Sequence, residues 1–358
     1  MTINLGRLGR GLGPLTVALG LALTGCGGTA EPEAEPTPTL TETVTPTPTV
    51  VKTPPPSPEV GVWPLTGAAG EVEVRPALAV KIENSPEARP QAGLEEADLV
   101  WEEIVEGGIS RYIAVWNSSI PEEIGPIRSI RPMDGNIVGP LHGLMVCSGG
   151  KSHFLATARD AELQLVTMDG GDPGFYRVKT RPAPHNVYAD PADFLTQADG
   201  EHSAQPESQF EFAATAGAAT AATSGKDAPV VALAMSAAAH PTWTWDEPAG
   251  TWLRSEGDVA AESVAGVRLS AANVVAMTVD IRTAQGRDPA GNSIPESIVI
   301  GEGDGFVASA GKIVDIRWSK ESATAIPVIT DDAGGPVTLA PGTTWVELVP
   351  SSGSWTVE

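Results

Sequence analysis

The amino-acid sequence predicts an α/β (α+β) fold whose C-terminal part is rich in β-strands. Two observations predict this class. Between residues 77 and 118, strand-like and helix-like patterns alternate, whereas from residue 229 onward short alternating apolar runs are separated by Gly, Pro and Asp turns. The chain has 358 residues, which allows two or three domains once terminal segments are set aside.

The first 25 residues are expected to be an export signal and not part of the fold. Arg7 and Arg10 precede an apolar run too short to span a bilayer stably, and this run ends in Leu-Thr-Gly-Cys. Residues 23–26 resemble a bacterial lipobox, in which the cysteine thiol accepts a lipid before cleavage. The sequence therefore predicts a lipoprotein signal peptide over 1–25, with lipid attached to Cys26 at the outer face of a bacterial cell membrane. An ordinary secretory peptide with a chance cysteine is the alternative.

Residues 26–58 are expected to form a disordered tether. They are rich in Pro and Thr and show no hydrophobic period, so they cannot bury enough apolar surface to fold. At about 3.1 Å per residue, such an extended segment reaches at most roughly 100 Å.

A second change of composition divides the rest of the chain. Residues 197–228 are dominated by Ala, Thr, Ser and Gly, which is typical of a linker. The sequence therefore predicts an N-terminal domain over 59–196 and a β-rich C-terminal domain over 229–358.

The charge of the chain excludes a nucleic-acid partner. There are 45 acidic against 22 basic residues, and the formal net charge is −23. Such a surface repels phosphate backbones and offers no broad basic face. The sequence contains no HExxH, GxSxG, SxxK or P-loop pattern and no zinc-like spacing, so no metal or cofactor is expected.

The strongest local signal is a hairpin over residues 98–118. Strand-forming residues flank Gly107-Gly108, a favoured two-residue hairpin loop. Such a loop pairs Ile104 with Arg111, so that Glu102 and Glu106 become diagonal neighbours of Arg111 on one face. The alternative is a helix over 94–106 that ends at Gly107.

Two arginines stand three residues apart in EIGPIRSIRP (123–132), where no acid is closer in sequence than Glu123 and Asp134. An extended backbone points Arg128 and Arg131 to opposite faces, whereas a helical turn makes them a two-pronged anion clamp with Ser129 beside it. The remaining alternative is that each arginine pairs with an internal acid such as Glu102, Glu106 or Asp134.

Two further polar positions are candidates for chemistry. His185 and Asn186 follow Pro182 and Pro184 in a stiff loop, where the imidazole can orient a ligand, act as a general base, or serve only a structural role. Cys147 is flanked by an apolar run and a Gly-Gly turn, and it is expected to be buried and inert.

The C-terminal part contains six short apolar-alternating runs. The stretch WDEPAGTW predicts a hairpin, and GEGDGF is interpreted as a β-turn that precedes the strand FVASAG. Its tryptophans are expected to lie in the core between packed sheets, with a sugar-stacking surface as the alternative.

The sequence also resembles a known family, the YerB-like bacterial lipoproteins. The resemblance rests on the motifs EGGISR (106–111), IGPIRSIR (124–131) and RPAPHNVYA (181–189), and it extends over roughly residues 60–350. It implies a layered sandwich of β-sheet and helix with a companion C-terminal domain. The family's biochemical activity is not established, so the resemblance implies fold and location more than function.

Three classes of function agree with these observations. The first is a membrane-anchored binding or envelope-maintenance lipoprotein with a cell-wall or envelope protein as its partner. The second is an enzyme that acts on an anionic envelope substrate through an Arg/Glu/His cleft. The third, a solute-binding protein of a transporter, is weakened by the absence of two matched lobes. A deep pocket with an unpaired acid or histidine distinguishes the enzyme from the binding protein.

Overall fold

The architecture is a large mixed β-sheet covered on one face by a second sheet and on the other by short helices. The structure is a computed structural model, and it describes residues 60–288 and 290–358. The predicted signal peptide (1–25), Cys26 and the predicted tether (26–58) lie outside the described residues. No described helix is long and apolar enough to cross a membrane.

The elements follow one another along the chain as many short strands and few helices. The α-helices are α1 (Asp134–Val138), α2 (Ser152–Asp160), α3 (Pro191–Leu195) and α4 (Thr220–Ser224). The strands are β1 (Val60–Val62), β2 (Ala69–Glu71), β3 (Leu78–Glu83), β4 (Leu99–Ile104), β5 (Ser110–Trp116), β6 (Leu144–Cys147), β7 (Gln164–Thr167), β8 (Phe175–Arg177), β9 (Val187–Ala189), β10 (Glu211–Phe212), β11 (Lys226–Asp227), β12 (Val230–Ala234), β13 (Pro241–Asp246), β14 (Thr251–Glu256), β15 (Val259–Ala260), β16 (Ser270–Ala271), β17 (Asn273–Arg287), β18 (Ser293–Ile298), β19 (Gly301–Ser309), β20 (Lys312–Lys320), β21 (Val328–Thr330), β22 (Thr338–Leu339), β23 (Thr344–Pro350) and β24 (Ser354–Val357).

The main sheet has twelve strands and joins both halves of the chain. Its path is β11-β20-β19-β17-β23-β4-β5-β3-β6-β7, with β18 paired to β17 and β21 paired to β20. Strand β23 is parallel to β17 on one side and to β4 on the other. Segments before and after the predicted linker therefore share one continuous sheet. The linker segment itself carries β10, α4 and β11.

The central strands of the main sheet are buried on both faces. Every residue of β3, β4, β5 and β23 is buried, as expected for a sheet covered by a layer on each side. One face packs against the second sheet, of order β15-β14-β13-β12-β24 with β16 beside β14, through a core that contains Trp243, Trp252 and Trp345. The other face packs against α1 and α2 through residues such as Ile137 and Phe154. The predicted α+β class and the layered sandwich are confirmed.

The predicted hairpin around Gly107-Gly108 is present, but its register differs from the prediction by one residue. Strands β4 and β5 pair with Glu103 opposite Arg111. The loop has three residues, 106–108, and is closed by a 2.8 Å hydrogen bond that Val105 N donates to Ile109 O. The alternative helix over 94–106 is wrong. Because side chains alternate between faces, the shift of one residue moves Glu102 to the face opposite Arg111.

Two C-terminal predictions have different outcomes. WDEPAGTW forms the β13–β14 hairpin as predicted. GEGDGF is not a turn before a strand, because β19 begins at Gly301 and includes it. The burial of Trp243, Trp252, Trp318 and Trp345, each at most 2% exposed, supports their place in the core.

Candidate functional site

Three arginines meet at one end of strands β3, β5 and β6, and they are called here the arginine cluster: Arg111, Arg128 and Arg131. Arg111 belongs to β5. The segment that carries the other two is held between β3 and β6, because Arg128 N donates to Lys81 O (2.9 Å) and Ser148 N donates to Arg128 O (2.9 Å). The backbone here pairs as an extended segment, so Arg128 and Arg131 do not form the two-pronged clamp that a helical turn would give.

Arg128 is neutralised by a buried carboxylate. Its Nε lies 3.2 Å from Oε1 of Glu83, which is 1% exposed. The other oxygen of Glu83 lies 3.0 Å from Nδ1 of His185. Arg128 also donates through Nη1 to Pro184 O at 3.3 Å. Glu83, an acid that the sequence analysis did not single out, thus connects Arg128 to the histidine loop.

Arg131 is neutralised by Glu106. Its Nε and Nη2 lie 2.9 Å and 2.8 Å from Oε2 of that carboxylate. Its backbone N donates to Oδ2 of Asp134 at 2.9 Å, and its Nη1 donates to Ser129 O at 3.2 Å. The internal pairing that the sequence left open is therefore present for Arg131.

Arg111 differs from the other two, since it forms no ion pair with any described residue. It is 5% exposed, and its one hydrogen bond within the described chain runs from Nη1 to Ser129 O at 3.3 Å. Nε is buried without a partner. Burial, reinforced by the charges of Arg131 and Arg128, lowers the pKa of Arg111 to about 10.

Acids stand directly beside Arg111 but bind other cations. Its cross-strand neighbours are Glu83 on β3 and Glu103 on β4. Glu83 binds Arg128 and His185, as described above. Glu103 binds the buried Lys81, which also donates to Oδ1 of Asp134 at 3.1 Å. Burial, together with the Asp134 charge, raises the pKa of Glu103 to about 8.

An open cavity of about 500 Å³ lies beside the arginine cluster. Ser129 and Arg131 belong to its wall, together with Lys151 from the start of α2 and Arg287 from the end of β17. The hydroxyl of Ser129 lies 3.2 Å from that of Ser148. The wall thus carries cationic side chains from three separate segments, together with the acids Glu106, Asp169 and Asp288.

Of the other predicted site residues, Glu106 lines this cavity, whereas His185 and Asn186 lie outside it. Asn186 is buried, accepts from Nη1 of Arg177 at 2.7 Å and donates to Val178 O at 3.3 Å. Both ends of its amide are engaged within the β8–β9 region. His185 contacts the arginine cluster only through Glu83.

Glu102 lies on the opposite face of the main sheet, where it belongs to a buried ion cluster around Arg254. The guanidinium of Arg254 lies 2.6 Å from Glu102, 2.8 Å from Glu256 and 2.9 Å from Glu347. It also stacks 4.6 Å from the ring of Trp345. Burial raises the pKa of Glu102 well above its ordinary value; Arg254 opposes this rise and Glu347 adds to it.

Arg254, Lys151 and Arg287 were not predicted from the sequence. Glu102 and Arg254 are separated by 152 positions, so no local pattern relates them. The signal for Lys151 was present: an apolar strand, then Ser-Gly-Gly-Lys-Ser, then a helix. Cys147, in the same stretch, is buried as predicted, and burial raises the pKa of its thiol to about 12.

Metal binding has no clear candidate. Within residues 60–288 and 290–358, no group of three or more His, Cys, Asp or Glu side chains is arranged to hold a metal ion. The site is instead one of arginine and lysine side chains, which suit anions.

The fold and this site define a layered α+β protein with an open cavity beside an arginine cluster at one end of its main sheet. Comparison with known proteins identifies the family. Residues 65–204 match the family described as "Protein of unknown function (DUF3048) N-terminal domain", and residues 231–346 match its C-terminal domain. The chain belongs to this YerB-like family.

One relative has both a sequence and a solved structure. The protein named "Putative lipoprotein YerB" from Bacillus subtilis strain 168 is 26% identical to this chain over 298 residues, which are 80% of this chain and 86% of that protein. The crystal structure of the YerB protein from Bacillus subtilis matches with a TM-score of 0.69 and 22% identity, and covers 82% of this chain and 99% of that one. The structural match supports the fold.

Proposed function

We propose that this protein is a lipoprotein, anchored by acyl chains on Cys26 to the outer face of the bacterial cell membrane, which binds an anionic ligand of the cell envelope at the arginine cluster. The anchor is supported by the charged start, the short apolar run and the Leu-Thr-Gly-Cys ending of residues 1–26. It is also supported by the name of the relative, a lipoprotein. Two or more acyl chains hold a protein stably, whereas one holds it only marginally.

The binding function rests on one observation, the buried Arg111 guanidinium that forms no ion pair with any residue the structure describes. A buried guanidinium without a carboxylate is costly to a fold, and proteins normally pair such groups. Here the two acids nearest in the sheet bind other cations, and the side chain lies next to a cavity with further cations. An anionic ligand would supply the missing charge.

The anchor is tested by replacing Cys26 in the full-length chain. Wild type is expected to incorporate radiolabelled palmitate, to sediment with membranes, and to be digested by protease added to intact spheroplasts. The Cys26→Ala variant is expected to lose the label and to stay unprocessed. A variant that partitions and is processed like wild type would contradict the anchor.

Anion binding is tested on the mature chain, residues 26–358 with Cys26→Ser, so that it is produced without lipid. Thermal unfolding is followed with increasing inorganic phosphate, sulfate or succinate, against potassium chloride of equal ionic strength. At least one anion is expected to raise the midpoint of wild type, because a ligand that binds the native state stabilises it. Arg111→Met is expected to lose this effect, whereas Arg159→Met, on the exposed last turn of α2, is expected to keep it.

An enzyme that acts on an anionic substrate is the second candidate, and one contact favours it. The Nδ1 atom of His185 lies 3.0 Å from the buried carboxylate of Glu83, an arrangement that orients an imidazole and supports a general base. The test is hydrolysis of bis(p-nitrophenyl) phosphate and p-nitrophenyl acetate by wild type and by His185→Gln. Absence of turnover by wild type, or turnover that survives the substitution, would refute this candidate for these two ester classes.

A further inference from the structure

The turn between β6 and α2 has a shape that only glycine permits. At Gly149 the backbone φ is +141°, and a Cβ there would lie 1.9 Å from Oδ2 of Asp169. At Gly150 a Cβ would lie 2.4 Å from Cγ2 of Ile130. Strand β6 is parallel to both its neighbours, so this turn stands at the carboxyl end of parallel strands, where open sheets commonly bind ligands.

The start of α2 presents backbone donors without acceptors. Helix α2 has nine residues, and Lys151 at its N-cap provides no side-chain cap. Within the described chain, the first amides with a backbone acceptor are those of Phe154 and Leu155, which donate to Lys151 O at 2.9 and 3.1 Å. The amides of Ser152 and His153 remain free, and the helix dipole adds partial positive charge at this end.

Cations from other segments surround the same cavity. Lys151 is half-buried and forms no ion pair with a described residue, and its Nζ passes close to Gly286 of β17. Arg287, the next residue of β17, donates to Gly291 O at 2.8 Å and has no carboxylate partner among the described residues. Arg111 lies behind this wall, since it shares the carbonyl oxygen of Ser129 with Arg131.

The wall of the cavity also carries acids, two of which are bound by other groups. Glu106 is bound by Arg131, and Asp288 is held by the backbone and side chain of Asn292 at 2.6 and 2.9 Å. Asp169 is exposed at the rim. The wall thus holds three acids and three cations, Arg131, Lys151 and Arg287, and Arg111 behind the wall adds one further positive charge.

We propose that this cavity binds the phosphate group of a phosphate ester, with the turn 148–152 and the first amides of α2 on one side and Lys151, Arg287 and the arginine cluster on the other. This inference rests on the proposed function and names its ligand class. A phosphate presents three or four oxygens in a tetrahedron, which donors from several directions can satisfy together. A carboxylate has only two oxygens in one plane, so it can meet fewer of these donors at once.

Asp169 at the rim indicates what the phosphate is attached to. Its carboxylate accepts hydrogen bonds and does not donate them, so it suits hydroxyl groups of the ester's alcohol part. The ligand class is therefore a phosphate ester of a hydroxylated alcohol, such as a sugar or a polyol.

The test is calorimetric titration of the mature chain (26–358, Cys26→Ser) with inorganic phosphate, glycerol 3-phosphate and succinate. Wild type is expected to bind glycerol 3-phosphate more tightly than phosphate, and succinate most weakly. Lys151→Gln and Arg287→Gln are each expected to weaken phosphate binding about tenfold or more, because each removes a charge-assisted hydrogen bond. The controls Lys179→Gln and Arg159→Gln, whose side chains are exposed outside the cavity, are expected to bind like wild type.

The outcomes separate this inference from the proposed function. If succinate binds and needs Arg111 while phosphate does not bind, the phosphate inference is overturned and the anion-binding function stands. If phosphate binds but Lys151→Gln and Arg287→Gln leave its affinity unchanged, the cavity is not its site. If no anion binds in a manner that needs Arg111, both proposals fail. Since Arg287 is exposed, its variant tests the site even if Lys151→Gln impairs folding.

The source of the phosphate is resolved by one further arm. If the protein binds soluble glycerol 3-phosphate but does not sediment with phosphatidylglycerol vesicles, the phosphate comes from a free or polymer-borne ester. If the protein sediments with the vesicles and glycerol 3-phosphate releases it, the phosphate belongs to a lipid headgroup. Both results uphold a phosphate site, whereas sedimentation that glycerol 3-phosphate does not displace places vesicle binding elsewhere on the protein and contradicts a headgroup in this cavity.

Discussion

Replacing Arg111 by Met is expected to stabilise the fold, which is unusual for a substitution at a residue that is 5% exposed. Met keeps most of the buried alkyl stem but removes the charge and the guanidinium donors. If the role of Arg111 is structural, the protein should lose stability on this change. If Arg111 serves to bind a ligand, the protein without ligand should not lose stability.

The size of the effect follows from the surroundings of the guanidinium. Burial and the neighbouring arginines lower the pKa of Arg111 to about 10. Because each pKa unit corresponds to about 1.4 kcal/mol, the charged form is about 3 kcal/mol less favourable in the fold than in water. Met removes this cost and also the single bond to Ser129 O, which is worth about 1–2 kcal/mol. The free energy of unfolding is therefore expected to rise by about 1–2 kcal/mol.

The assay is urea unfolding of the mature chain in a buffer without phosphate or sulfate. Urea is preferred to guanidinium chloride because it is uncharged and leaves the anion site unscreened. With a bound anion at one hundred times its dissociation constant, wild type gains about 2.7 kcal/mol and the variant gains nothing, so their order of stability reverses.

The matched control is Arg254→Met, on the other face of the main sheet. Arg254 is fully buried against Glu102, Glu256 and Glu347, so its removal leaves carboxylates without a cation. A loss of about 3–5 kcal/mol is expected. If Arg111→Met also loses more than about 2 kcal/mol, Arg111 holds the fold together and the reasoning for an anion site fails.

Three further predictions concern buried groups. Glu102→Gln is expected to destabilise the fold less than Glu256→Gln, which should cost about 2–4 kcal/mol in urea unfolding. Burial raises the pKa of Glu102 well above its ordinary value, whereas Arg254 and Arg89 overcome burial and hold the pKa of Glu256 below it. The folded state holds the proton of Glu103 more tightly than the unfolded state, so the free energy of unfolding should fall as pH rises from about 4.5 to about 8. Glu103→Gln should reduce this fall, as measured by urea midpoints at pH 5 and pH 8. An unchanged fall would contradict the raised pKa of Glu103. Cys147 should resist a maleimide at pH 7.5 in the native Cys26→Ser chain and react in 8 M urea, as measured by mass; rapid native labelling would show that the thiol is accessible.

The sequence predicted the elements of this fold better than their register. Strand β3 and the hairpin of β4 and β5 were recognisable from their Val, Ile, Trp and Tyr content. The register was not, because these strands are buried on both faces and show no apolar-polar alternation to fix it. Gly107-Gly108 is compatible with loops of two or three residues, and the difference reverses the face of Glu102 relative to Arg111.

The candidate site was only partly predictable for a related reason. Arg111, Arg128, Ser129 and Arg131 could be singled out, since cations in an apolar run of an acidic chain are conspicuous. Their partners could not, because Glu83 reaches Arg128 through the pairing of the end of β3 with the segment 126–128, and Arg287 reaches the cavity from the far half of the chain. Contacts across a sheet are set by strand order, which no local pattern in this sequence specifies.

The distribution of acids between the two faces of the main sheet argues against a purely structural Arg111. On one face a single arginine, Arg254, receives three carboxylates; on the other, Arg111 forms an ion pair with none of the acids in residues 60–288 and 290–358. The lack of a partner is not a matter of distance along the strands, because acids occupy both positions opposite Arg111 and each is bound to another cation. A fold that only needed to neutralise Arg111 could do so with either acid. That both are engaged elsewhere leaves the guanidinium free for a negative charge from outside the chain.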